Sequence, residues 1–128
     1  MSTNTTRAVP VEAGSAITIR RFISIAADGQ ADHVGTAQAA ADGISAETQA
    51  TAGREIAMNI PDGGFYEVES GVALAIGADV ASNNAGKAIA WVDAAGNACL
   101  GKVVAQASAA DGDVVTIQFS HRKVGAGS

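Results

Sequence analysis

Cysteine is almost absent from this chain. Cys99 is the one example, so no internal disulfide can form and no second thiol completes a metal-binding pair. Aromatic residues are nearly as scarce, three Phe, one Tyr and one Trp in 128 residues, too few to build the stacking platforms of a sugar-cleaving cleft. Basic charge is short too: eight Lys and Arg against thirteen Asp and Glu leave −5. No basic field can then hold a phosphate backbone, and nucleic acid is not expected as a partner. No run approaches the roughly 18 apolar residues of a membrane span, and the N-terminus, MSTNTTRAVP, has no apolar signal core. The expectation is a soluble, unsecreted protein made in the cytoplasm, with no membrane partner.

Leucine is the most telling shortage. Of 61 residues in the hydrophobic set 29 are Ala, 22 are Val or Ile and only 2 are Leu. Val and Ile are stiff at χ1 and suit a pleated surface, whereas a helical bundle of this size would carry many more Leu. With 15 Gly, the composition predicts an all-β protein. The length fits one compact domain with a modest core.

Turn chemistry recurs at short intervals: Asp28-Gly29, Asp42-Gly43, Asp62-Gly63 and Asp111-Gly112, with Asn83-Asn84-Ala85-Gly86 and Asp93-Ala94-Ala95-Gly96-Asn97 before the last. Such clusters end strands and form hairpins. Between them the pattern falls to period two. Ile17, Ile19, Ile23 and Ile25 alternate with Thr18, Arg20, Phe22 and Ser24, and Arg21 interrupts the apolar face as a bulge, a subunit contact or an edge. Ile56, Met58 and Ile60 form a second stripe, and Tyr66 and Val68 oppose Phe65, Glu67 and Glu69. Further strands are predicted over Lys87 to Val92, Ala98 to Ala105 and Asp113 to Phe119, the last burying Val115, Ile117 and Phe119. A meander is the economical topology.

Two alanine-rich segments, Thr36 to Ala41 and Ala105 to Ala110, favour helix by propensity. Both are too short to stand alone and run into Asp-Gly, so they read as loop or a single turn. They resemble each other, but two copies do not establish a repeat. The polar N-terminus and the Gly-Ala-Gly-Ser C-terminus suggest a flexible arm over 1–10, one β-rich domain over 11–123 and a flexible tail over 124–128.

Few residues suggest chemistry. Gly96 to Val103 has the glycine and lysine spacing of a phosphate loop but ends in Val103 where a hydroxyl is needed for magnesium, and it continues as strand rather than helix. His33 and His121 are far apart and in no metal-ligand spacing, so both read as solvated surface. Cys99 reads as a small buried hydrophobe. Glu67 and Glu69 share a strand face, where one carboxyl could be raised for acid–base work, but a solvated face is favoured. Asp111 and Asp113 read as turn residues because no closing Glu completes a calcium loop. No catalytic residue, cofactor or metal is assigned.

The second half carries a family likeness. It runs from Val68-Glu69-Ser70-Gly71-Val72 through Gly77-Ala78-Asp79-Val80, then Asn84-Ala85-Gly86-Lys87-Ala88, Gly101-Lys102-Val103-Val104-Ala105, and Asp111-Gly112-Asp113-Val114-Val115-Thr116-Ile117. This resembles the capsid decoration, or cement, proteins of tailed bacteriophages, best from Glu67 to Phe119. The resemblance implies a compact β-barrel or β-tulip-like domain of short antiparallel strands. It also implies binding to the outer surface of an assembled phage head, with the major capsid protein as partner and self-association as a homotrimer.

A cement protein must add buried area across the joints between capsomers, and an arm that orders on binding does this with little folded mass. The expected capsid-binding residues are Thr5, Thr6, Arg7, Val9, Pro10, Arg20 and Arg21, with Met1 to Pro10 lying along adjacent capsid subunits and the arginines pairing with shell carboxylates. Two other readings are a phage tail, baseplate or adhesin β-domain, and an enzyme built on His33, Cys99 and the Glu67/Glu69 pair.

Overall fold

A computed structural model describes residues 8–107 and 110–124, with side chains as far as Ser120. Among the described residues there are ten strands and no helix. β1 (Ala8–Ala13), β2 (Phe22–Ile25), β3 (Gln30–His33), β4 (Gly43–Ser45) and β5 (Glu55–Asn59) close into a small barrel in the order β1-β3-β2-β4-β5. β6 (Phe65–Glu69), β7 (Asp79–Ser82), β8 (Ala88–Ala90), β9 (Ala98–Ala105) and β10 (Val114–Val124) form a second sheet in the order β6-β10-β9-β7-β8. The all-β class predicted from the Val and Ile excess is the observed one.

The punctuating turns fall mostly where the sequence places them. Asp28-Gly29 joins β2 to β3, with the Asp28 carboxylate accepting from Gln30 N–H at 2.9 Å. Asp62-Gly63 lies between β5 and β6, the Asn83–Gly86 turn between β7 and β8, and Asp111-Gly112 between β9 and β10. Asp42-Gly43 is the exception. Gly43 opens β4 and is buried, and a Cβ there would run into the Met58 side chain and the Asn59 carbonyl. Glycine is needed at this point for close strand approach rather than for a turn.

Two buried clusters hold the molecule together. The smaller fills the barrel with Ala13, Ile17, Ile23, Ala31, Ile56 and Met58. The larger joins Phe22, Val34, Ala41 and Ile44 of the barrel half to Val68, Val80, Leu100, Val115, Ile117 and Phe119 of the second sheet. β2 sits between them, so Phe22 points into one cluster and Ile23 into the other. The Phe22 and Phe119 ring centroids are 5.9 Å apart, and Tyr66 meets Phe119 edge-on at 6.2 Å. Each large side chain buried this way contributes about 1.5–3 kcal/mol, so a few aromatic and branched residues carry a core otherwise made of alanine.

Several expectations change. Phe22 is fully buried, not outward, and the predicted strand from Ile17 to Ile25 is broken: Arg20 has φ 64°, and only Phe22–Ile25 is strand. Ile17 instead makes an isolated bridge to Gln49. The topology is not a meander. β1 pairs with β5 from Ala8↔Asn59 to Glu12↔Glu55 and lies parallel to β3 at Glu12 and Ala13, and β6 pairs with β10 rather than with β7. The β1–β5 pairing closes the barrel and so removes two edges that a meander would leave open, whereas the second sheet stays open. Strands β1, β3, β4 and β7 are not among the predicted ones: β1 carries Pro10, and the other three are short and rich in Gln, Asp, Ser and Gly. Strand also reaches past both domain boundaries: Ala8 to Pro10 belong to β1, and Val124 pairs with Ala98 at the end of β10. The two alanine-rich segments are not helical where described.

Candidate docking surface

The residues expected to meet a shell lie in three places. Thr5, Thr6 and Arg7 are outside the described residues. Val9 and Pro10 are in β1, opposite Met58 and Ala57. Val9 is half-buried against the barrel cluster, while Pro10 is exposed. Ala13 N–H donates to Arg54 beside β5, and Gly14 N–H donates to Ala31 on β3. By the strand period, Pro10 therefore turns its missing donor away from β5, towards a stretch of β1 that β3 does not reach.

Arg20 and Arg21 stand at the junction of barrel and sheet. Arg20 N–H donates to the Ser45 carbonyl at 2.9 Å, and its own carbonyl accepts from Glu69 N–H at 2.8 Å. Arg21 follows as the inner member. Its Nε lies 3.1 Å from Glu69 Oε1, and its Nη1 donates to the Ala85 carbonyl at 3.0 Å. Arg21 thus meets a carboxylate of its own chain with its side chain only 15% exposed. The three readings of Arg21 as bulge, contact or edge give way to a clamp between the two halves.

Glu69 extends that clamp. Its second oxygen is 3.3 Å from Lys87 Nζ, which also reaches Asp111 Oδ1 at 2.8 Å. Hydrogen bonds to Asp111 and Glu69 raise the Lys87 pKa, and the hydrogen bond from Lys87 lowers that of Asp111. The Glu67/Glu69 pair is therefore split: Glu69 is neutralised by two cations, and Glu67 is left exposed.

The other candidates are structural. His33 is half-buried in β3, and its Nε2 accepts from Thr18 N–H at 3.0 Å. Burial first and the Arg21 charge second lower its pKa, so it is an internal acceptor rather than the solvated residue expected. His121 lies in β10. Cys99 is buried in β9, its thiol 3.6 Å from the Gly101 carbonyl. Gly96 to Val103 is turn then strand.

Sequence reasoning missed the open edge of β6. Among the described residues this strand pairs with β10 alone, and Phe65 on its outer face is 65% exposed, with Ile76 at 63% and Val92 at 54%. The alternation of Phe65 and Glu67 against Tyr66 and Val68 was the available signal, since it sends a phenyl ring outward.

No family model matches the chain, and no curated protein matches it. Among solved structures it is similar to the N base of the head fibre gp8.5 of bacteriophage phi29, with a TM-score of 0.73 over 91% of this chain and 96% of that chain, at 18% sequence identity. Nearly all of both chains superpose despite the low identity, so the chain shares the fold of a phage head-fibre base.

Proposed function

We propose that this protein binds the outer surface of an assembled phage head and stabilises it by bridging neighbouring capsomers. The observation that carries this reading is the fold likeness to a head-fibre base over almost the whole of both chains. The shell contact is made by Pro10, exposed in β1, together with Arg20, whose backbone is held on both sides by Ser45 and Glu69. Because the Arg21–Glu69–Lys87–Asp111 clamp fixes the barrel against the second sheet, the domain can carry load from one capsomer to the next without hinging. Many copies on one shell convert a modest contact per copy into a firm lock.

The test is sedimentation of the purified protein with DNA-filled phage heads stripped of their decoration, reading copies bound per head and survival of the particles on heating. Saturable binding with added heat resistance is the expected result. Absence of binding to heads, with binding to tails instead, would overturn the reading in favour of a tail or baseplate domain.

A further inference from the structure

Among the described strands, β6 has a neighbour, β10, on one side only. Glu69 N–H donates away from β10, to the Arg20 carbonyl, whereas Ser70 N–H donates to the Asp113 carbonyl beside β10. By the two-residue period of a strand, the backbone groups of Phe65 and Glu67 also face away from β10. No strand or loop among the described residues pairs with them there. Another free stretch of strand, at the start of β1, is blunted by Pro10, and the opposite edge strand of the second sheet, β8, is only three residues long, while the β6 edge has no proline and presents an exposed phenyl ring and an exposed carboxylate. Such an edge is a template for one more strand.

We propose that the β6 edge seats residues 1–7 of a second copy of this chain, paired as an added strand. Residues 1–7 join β1 at Ala8, which lies opposite Asn59, and only Ile60 to Gly64 separate Asn59 from Phe65. The root of the segment and the free edge therefore sit at the same end of the molecule. Extended, seven residues span about 23 Å, more than the unpaired edge requires. Thr3, Thr5 and Thr6 are β-branched and suit a strand, and Arg7 supplies a cation for the Glu67 carboxylate.

The chain's own edge is a poorer seat. Between Asn59, opposite Ala8, and the chain's own β6 lies the turn from Ile60 to Gly64. The intervening turn offers it no ladder: Pro61 has no N–H, and the Asp62, Gly63 and Gly64 N–H groups already donate to Ile60, Phe119 and the Asp62 carboxylate. Symmetric pairing of two β6 edges would gather two Glu67 carboxylates on one face with no cation paired to either. Donor segment and acceptor edge are different surfaces, so the contact runs head to tail and copies can close into a ring.

The test uses the purified full chain in the absence of heads, so it fails or succeeds independently of head binding. Thr5→Cys in one tagged chain and Phe65→Cys in another, mixed under mild oxidation, should give a disulfide between the two chains. The unaltered chain, whose Cys99 is buried, serves as the control. A chain carrying both cysteines that closes internally as a monomer would overturn the proposal, as would Phe65→Cys linking only to itself, or no link at all.

Sedimentation equilibrium supplies a second readout. Glu67→Pro removes only an outward N–H, sparing the β10 ladder, and should weaken self-association roughly tenfold, the worth of about one lost backbone hydrogen bond. Arg7→Glu should weaken it too, and adding Glu67→Arg should restore it. Unchanged association in Glu67→Pro, or no rescue by the charge swap, would also overturn the proposal.

Discussion

Phe119→Ala tests whether the barrel and the second sheet are one cooperative unit. Phe119 is fully buried in β10 and touches both the barrel, through Phe22 at 5.9 Å, and the sheet's own Tyr66 at 6.2 Å. Cutting a buried Phe to Ala costs about 3–5 kcal/mol through lost transfer energy and the cavity left behind, and the ring contacts lie at the upper side of that range. A loss of about 4 kcal/mol is expected. Against a total stability of about 5–15 kcal/mol, and a urea dependence of about 1–3 kcal/mol per molar, the midpoint should fall by about 2 M. Urea titration at fixed protein concentration, followed by Trp91 fluorescence for the second sheet and by hydrogen exchange at Ile56 and Met58 for the barrel, reads both halves. Both probes should move together. A loss under about 1 kcal/mol, or barrel amides that stay protected after the sheet has melted, would refute the shared core.

Three further outcomes are expected. Gly86 has φ 79° and its Cβ position lies 2.5 Å from the Phe22 carbonyl, so Gly86→Ala should cost about 2 kcal/mol in denaturant unfolding; a change near zero would remove this seam from the account. His33 has a folded pKa below its ordinary 6.5, so its contribution is complete above pH 6.5 and lost as the unfolded state gains protons below it; stability measured from pH 7 to 5 should fall, and His33→Gln should flatten that slope. Cys99 is buried and should react with a thiol reagent only at the rate of opening, while rapid labelling of the native protein would show the β9 core to be accessible.

Strands with a stripe of large apolar residues, such as β5, β9 and β10, were legible because their burial follows their chemistry. β3 and β7 were not, because Gln30-Ala31-Asp32-His33 and Asp79-Val80-Ala81-Ser82 are strands by pairing rather than by hydrophobicity. The break at Arg20 was hidden for a similar reason. A positive φ at an arginine has no local signature and is held here by Ser45 on one side and Glu69 on the other. Of the expected contact residues that are described, Pro10 is exposed and Arg20 half-buried, whereas Arg21 is committed to Glu69, a residue distant in the chain that no local pattern could pair with it. The open β6 edge depends on which strand neighbours which, and strand order is a property of the whole fold.

The pairing of β1 with β5, and of β6 with β10, also sets how the chain acquires its structure. Each of these early strands waits for a partner made much later, so loop-closure entropy falls before any ladder can offset it. Folding dominated by such non-local contacts is slow, typically milliseconds to seconds for small β-proteins. During that interval β6, with Phe65 and Val68 uncovered, is the segment most exposed to mispairing with other nascent chains. High synthesis rates should therefore favour aggregation through this strand before β10 has arrived to claim it.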